Sequence, residues 1–271
     1  MNKFFTTKDN FESIINSVLG DIDEISLIAT GWTNFVYKVR KGNKRYIFRF
    51  PRNTFFSNVL YKEVTFNKFI NGKLSFKTTD LNLMFDNGRQ YTMHEEIAGT
   101  NMTELYPSLT LEDKRRIAKQ VSDFIYELQH VDTTELNYKL ETTSEFLLGL
   151  SKVDDQEYDV SKLNPLKELE SKDLTLSHAD LNPGNILLDD NHNVCGILDF
   201  AFVSYTSDLN DMARLIGRLP SDYYDIMLEE YNKRFNLNIT KKQVDDIIGV
   251  WNHVEYHYMI YMRNHHPEIK F

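Results

Sequence analysis

Cysteine is almost absent. Cys195 is the one thiol in 271 residues, so no internal disulfide forms, which excludes a disulfide-stapled scaffold and fits a reducing compartment. Glycine and proline are sparse, at 11 and 6, which excludes collagen-like and Pro/Gly-rich disordered chains. Long hydrophobic runs are missing as well. No apolar stretch approaches the ~20 residues that cross a bilayer, and the opening segment to Phe11 has no apolar run of the kind that directs export. A cytoplasmic protein without membrane contact is expected. Positive charge is in deficit, with 31 Lys and Arg against 40 Asp and Glu for a net −9. That disfavours a globally basic nucleic-acid binder. It also repels anionic lipid and attracts cationic partners wherever the acids cluster round a cleft. The 41% of hydrophobic residues suffices, at this length, for a substantial core in one large domain or two small ones.

The first third reads as strand-rich. An opening helix carries Phe11, Ile14, Ile15, Val18 and Leu19 at helical spacing. Two β-branched and aromatic runs, 35–39 and 46–50, flank the turn Lys41-Gly42-Asn43 and predict a hairpin. A helix is expected over residues 59–70. A second hairpin is predicted at Asp86-Asn87-Gly88, between Leu81, Leu83 and Phe85 and the pair Tyr91 and Met93. Beyond Gly99 long helices take over. Thr110 with Asp113 forms a capping-box pattern ahead of Ile117, Val121, Phe124, Ile125 and Leu128. Thr240 with Gln243 repeats it ahead of Val244, Ile247, Ile248, Trp251, Val254, Tyr258 and Tyr261. The polar stretch from Lys152 to Glu157 reads as a surface loop. The pattern is a small β-rich lobe, a larger helical one, and a cleft between them.

The chemistry lies in two short apolar strands that each run into a polar loop. His178, Asp180 and Asn185 follow the spacing H-x-D-x-x-x-x-N of a kinase catalytic loop, and Asp199-Phe200 follows 19 positions after Asp180. Phosphoryl transfer needs a carboxylate to orient the acceptor hydroxyl or take its proton, which suits Asp180. It also needs hard oxygen ligands for Mg²⁺, which suits Asn185 and Asp199. Singly, these residues also read as a turn at Asn182-Pro183-Gly184-Asn185, a buried histidine and a strand-end cap. Their order and strand context make the kinase reading the stronger one.

On these motifs the chain resembles the aminoglycoside phosphotransferase and choline kinase-like family, over essentially its whole length. The resemblance implies an α+β, bilobal protein-kinase-like fold. A nucleotide-binding lobe would span residues 1–96 and a catalytic, substrate-binding lobe residues 97–271, with the active site between them. It implies Mg²⁺ as cofactor, with ATP or GTP as phosphate donor. Gly31, Thr33 and Asn34 would lie in the hairpin over the nucleotide. Arg49 would contact phosphate, with Glu63 as its helix partner. Met93, Glu95 and Ile97 would lie at a hinge whose backbone meets the purine. His178 would be structural within the catalytic loop.

The strand around Arg49, the segment before Asp199 and the late helix at 254–259 are most similar to the 2″-aminoglycoside phosphotransferases. This implies a cationic small-molecule acceptor met by Asp180, Asp208, Asp211 and Glu255, in a monomer without nucleic-acid or membrane partners. Choline, a sugar or a macrolide are alternative acceptors; Trp251, Tyr256, Tyr258 and Tyr261 form either a cation–π cage or core. A regulatory pseudokinase is the remaining alternative, opposed by the intact Asp180, Asn185 and Asp199. Protein-kinase activity is disfavoured, because Phe200 to Asp211 leaves little room for an activation loop.

Overall fold

Period-two alternation organises the first layer. In the computed structural model, which describes residues 4–30, 33–150 and 158–265, α1 (Phe11–Leu19) precedes β1 (Glu24–Thr30), β2 (Asn34–Lys41) and β3 (Lys44–Pro51). Helix α2 (Thr54–Ile70) follows, then β4 (Asn82–Asp86) and β5 (Arg89–Glu95). The strands form one antiparallel sheet in the order β1-β2-β3-β5-β4. Its pairs Val36↔Arg49, Lys38↔Ile47 and Ile47↔His94 lie on one face. The other face carries Phe35, Val39, Phe48, Phe50 and Tyr91, buried with Phe5, Phe11 and Ile15. Phe50 stacks on Tyr91 at 4.9 Å and meets Phe5 edge-on at 5.0 Å. Such contacts each add roughly 0.5–1.5 kcal/mol beyond area burial. Both expected hairpins are present. At the second, Asn87 and Gly88 both take positive φ, the signature of a type I′ turn.

The second layer is helical. After β6 (Thr100–Asn101) and α3 (Met102–Leu105) come α4 (Leu111–Gln129), α5 (Thr143–Leu150) and α6 (Asn164–Glu170). Then follow β7 (Leu174–Ser177), β8 (Ile186–Leu188), β9 (Val194–Ile197) and β10 (Ser204–Ser207), and finally α7 (Asn210–Ile216), α8 (Tyr224–Phe235) and α9 (Lys241–His265). Both caps are made: Thr110 and Asp113 exchange bonds at the start of α4, and Thr240 and Gln243 do so before α9. The predicted stripe of α4 is fully buried, and Val244, Ile247, Trp251, Val254, Tyr258 and Tyr261 of α9 join the same core. Among the described residues no helix is long and apolar enough to cross a membrane.

Two expectations shift. Helix α2 starts at Thr54, five residues before the predicted start, because the Asn53 side chain accepts the Phe56 N–H and caps it there. Its Phe56, Val59, Phe66 and Ile70 pack into the larger core rather than under the sheet. Phe66 lies 5.7 Å from Phe200, so α2 ties the two layers together. The expected loop at Lys152–Glu157 lies outside the described residues.

Candidate functional site

Strand β7 ends at Ser177, and its exit is held from below by α7. Asp211 accepts the Ser177 hydroxyl at 2.7 Å, the His178 N–H at 2.8 Å and the Ala179 N–H at 3.0 Å. Asn210 reaches the Ser177 oxygen at 3.0 Å and accepts the Trp251 indole N–H at 2.7 Å. Ala179 takes φ +59°, a left-handed conformation that costs an L-residue on the order of 1–2 kcal/mol. The bonds from Asp211 hold that turn, and a small side chain suits it. His178 is fully buried against Phe200. Its Nε2 lies 2.8 Å from the Leu198 carbonyl, while Nδ1 accepts the Asp180 N–H at 3.3 Å. The ring therefore carries its proton on Nε2 and splices the two loops together.

The turn delivers Asp180 to a cleft. The Asn182 and Asn185 amides both donate to the Asp180 carbonyl, at 2.9 and 3.0 Å. With its amide N–H₂ so used, Asn185 has Oδ1 left as a ligand atom. Burial alone would raise the Asp180 carboxyl, but Arg214 and Arg218 overcome it and hold it below the usual carboxylate range. Arg214 Nη2 and Arg218 Nη1 lie 2.9 and 3.0 Å from its Oδ1.

Asp199, which follows β9, sits in the left-handed region at φ +65°. Its Oδ1 is 3.3 Å from Arg49 Nη2, while Arg49 Nη1 is 2.5 Å from Glu63 Oε1. Burial pushes the Glu63 carboxyl up and Arg49 pulls it back. Despite burial, Arg49 is held charged by the two carboxylates. The Arg49–Glu63 pair expected from the sequence is thus formed, with Asp199 as its third member.

Two cavities meet at Asp199. One, of about 520 Å³, lies under the sheet and is lined by Val36, Ile47, Arg49, His94, Ile97, Asn185 and Asp199. The other, of about 490 Å³, is lined by Thr33, Asp180, Asp199, Arg214, Arg218, Trp251 and Glu255. In the first, burial and then the charge of Arg49 push the His94 imidazole down to about 4. It is neutral at physiological pH.

Several expected site residues stand elsewhere. The hinge is expected to act through its backbone; its Met93 side chain points into the aromatic core, Glu95 outward to Lys44 at 2.7 Å, and His94 into the cavity. Ile97 lines the cavity as expected, and Thr33 lines the neighbouring one. Asn34 is buried, lines neither cavity and donates to the Thr33 hydroxyl at 3.0 Å. Gly31 lies outside the described residues. Of the three acids expected beside Asp180 at the acceptor, only Glu255 lines the cleft. Asp211 is buried under the loop. The Asp208 backbone carbonyl accepts from Gln129 and Tyr231 at 2.6 and 3.1 Å, and its carboxylate accepts the Ser207 hydroxyl at 3.3 Å. Of the α9 aromatic residues, Trp251 and Tyr258 line the cleft while packing against the core, Tyr258 and Tyr261 pack with Tyr158, and Tyr256 is exposed. Sequence reasoning missed Arg214 and Arg218. Arg214 lies in the last turn of α7 and Arg218 in the turn just past its end, so no helical periodicity marked the pair.

Comparison with known proteins places this geometry in context. The profile of the phosphotransferase enzyme family matches residues 24–241. The fold is similar to the GDP and kanamycin complex of an APH(2″) enzyme, with TM-score 0.73, 15% identity, and 95% of this chain and 93% of that one covered. The streptomycin–ATP ternary complex of APH(2″)-IIa gives 0.64 at 15% identity, covering 93% and 89%. A macrolide 2′-phosphotransferase from Brachybacterium faecium gives 0.63 at 14%, covering 93% and 92%. These likenesses extend to the architecture of both layers.

Proposed function

The chain belongs to the phosphotransferase enzyme family, and from that premise we propose that it transfers the γ-phosphate of a purine nucleoside triphosphate to a hydroxyl of a small molecule. The observation that carries the reading is the junction at Asp199. One cavity offers Arg49 and Asn185, the other Asp180, and Asp199 lines both. A phosphoryl group passing between them stays within reach of one carboxylate throughout.

The residues fit Mg²⁺. A carboxylate and a neutral amide oxygen are hard donors, and this cation is commonly held by one or two carboxylates together with phosphate and water. Among the described residues no cluster of three or more His, Cys, Asp or Glu forms a cage, so the donor set suits a cation shared with the nucleotide. When bound, Mg²⁺ neutralises charge developing on the phosphoryl oxygens. Asn185 and Asp199 would hold it. Arg49 would meet phosphate, with Glu63 fixing its guanidinium. Asp180 would accept the hydrogen bond of the acceptor hydroxyl and its proton as the new O–P bond forms. A carboxylate held below its usual range is a weak base, so orientation is its larger contribution.

For the acceptor, the resemblance in sequence implies an aminoglycoside, as does fold likeness to kanamycin- and streptomycin-bound enzymes, whereas Arg214 and Arg218 already occupy Asp180 and Glu255 in the cleft. A macrolide phosphotransferase shares the fold nearly as closely. The test is a panel of aminoglycosides, macrolides, choline and sugars with ATP and GTP, following phosphate transfer to the acceptor. Transfer to at least one hydroxyl compound is expected. Normal folding with no nucleotide binding and no transfer to any of them would remove the kinase reading.

A further inference from the structure

Arg214 and Arg218 occupy the acceptor side of the cleft. Arg214 is 8% exposed. Its guanidinium lies 3.8 Å above the Trp251 ring, and its Nη1 is 3.1 Å from Glu255 Oε1. Arg218 reaches the same Glu255 oxygen at 2.6 Å, but its side chain is 35% exposed. Both also hold Asp180 Oδ1. Two guanidiniums thus hold two carboxylates at this end of the cavity, whose third described carboxylate, Asp199, is engaged by Arg49.

That pairing decides what can enter. An ammonium group approaching Asp180 or Glu255 meets two fixed positive charges in a partly desolvated site, where like charges repel more strongly than in water. To reach either carboxylate it must displace Arg218. Arg214 stays, because it is sandwiched between Trp251 and both acids. A quaternary ammonium gains nothing from Trp251, whose face Arg214 already covers. The remaining wall is largely apolar, with Leu147, Phe202, Val254 and Met259.

We propose that Arg214 and Arg218 are specificity-determining residues that set this cleft for a hydroxyl acceptor without positive charge and disfavour polycations. The proposal rests on the phosphotransferase reading for the identity of the cleft, not for its charge. The experiment titrates kanamycin calorimetrically into wild type, R218A and R218E, each loaded with magnesium and a non-hydrolysable ATP analogue. Kanamycin is expected to bind R218E at least ten-fold more tightly than wild type, with R218A between them. Added KCl should narrow the gap, since ions screen such charges over ~8 Å at physiological strength. No gain in R218E or R218A, whether kanamycin binds all three or none, overturns the proposal. Melting curves and analogue affinity check that each variant is folded; if R218E is not, the R218A comparison carries the test. A folded wild type that binds no nucleotide analogue would sink the kinase reading and leave the kanamycin comparison, made without analogue, standing.

Discussion

Single side chains divide the proposed chemistry cleanly. Asp180→Asn keeps the size and the loop but removes the charge that orients the acceptor hydroxyl and takes its proton, so turnover should fall by about 10²-fold, the lower end for positioned acid–base help because the carboxylate is a weak base. Nucleotide affinity should be retained, and equal turnover in the variant would take Asp180 out of the mechanism. Asp199→Ala deletes a ligand instead. It should weaken magnesium-dependent nucleotide binding directly, and Asn185→Ala should do so less, because a neutral amide attracts a cation less than a carboxylate does. Calorimetry on both variants checks this. Wild-type affinity in both would overturn the ligand assignment. His178, Asp180, Asn185 and Asp199 were readable because their spacing is set by one short loop and one strand pair.

Elements decide which of those residues can act. The seam between the β7 exit and α7 rests on Asp211, whose carboxylate takes three donors. Asp211→Ala leaves the buried His178 N–H and the Ser177 hydroxyl short of an acceptor, while the Ala179 N–H keeps the Ser177 oxygen, a loss of roughly 2 kcal/mol or more. Denaturant unfolding should register that loss, and turnover should fall with little change in nucleotide affinity, since no cavity-lining side chain is removed. A variant as stable and as active as wild type would contradict the bracing role. The same seam explains the misplaced acids. Asp211 opens α7 and is carried under the loop, while Asp208, two residues before the helix, accepts from its neighbour Ser207.

A charge buried between neighbouring strands bears on the stability of the whole molecule, and pH exposes it. His94 comes from β5 and Arg49 from β3, and burial together with that guanidinium lowers the imidazole from 6.5 to about 4. In the unfolded chain it protonates near 6.5. As pH falls from there toward 4 the unfolded state therefore binds a proton that the folded state refuses, and stability declines. The shift of about 2.5 units corresponds to about 3 kcal/mol at most. Denaturant unfolding at pH 7 and pH 5 should show the decline, and His94→Gln should flatten it, the variant's other titrations being unchanged. An identical slope in the variant would remove His94 as the cause.

By itself the sequence determined what depends on near neighbours. Alternation made the hairpins, Asn87-Gly88 closed one of them, and the capping boxes placed α4 and α9. The loop spacing marked Asp180, Asn185 and Asp199, and the family resemblance pointed to Arg49 with Glu63. Only the tertiary structure decided which acids face the cleft, that α2 packs across the two layers, and that Arg214 and Arg218 neutralise Asp180 and Glu255. The physical reason is range. Backbone periodicity and local hydrogen bonds act over a few residues, whereas the charge of the cleft is summed from side chains 180, 214, 218 and 255, which only packing brings within 3.1 Å of one another.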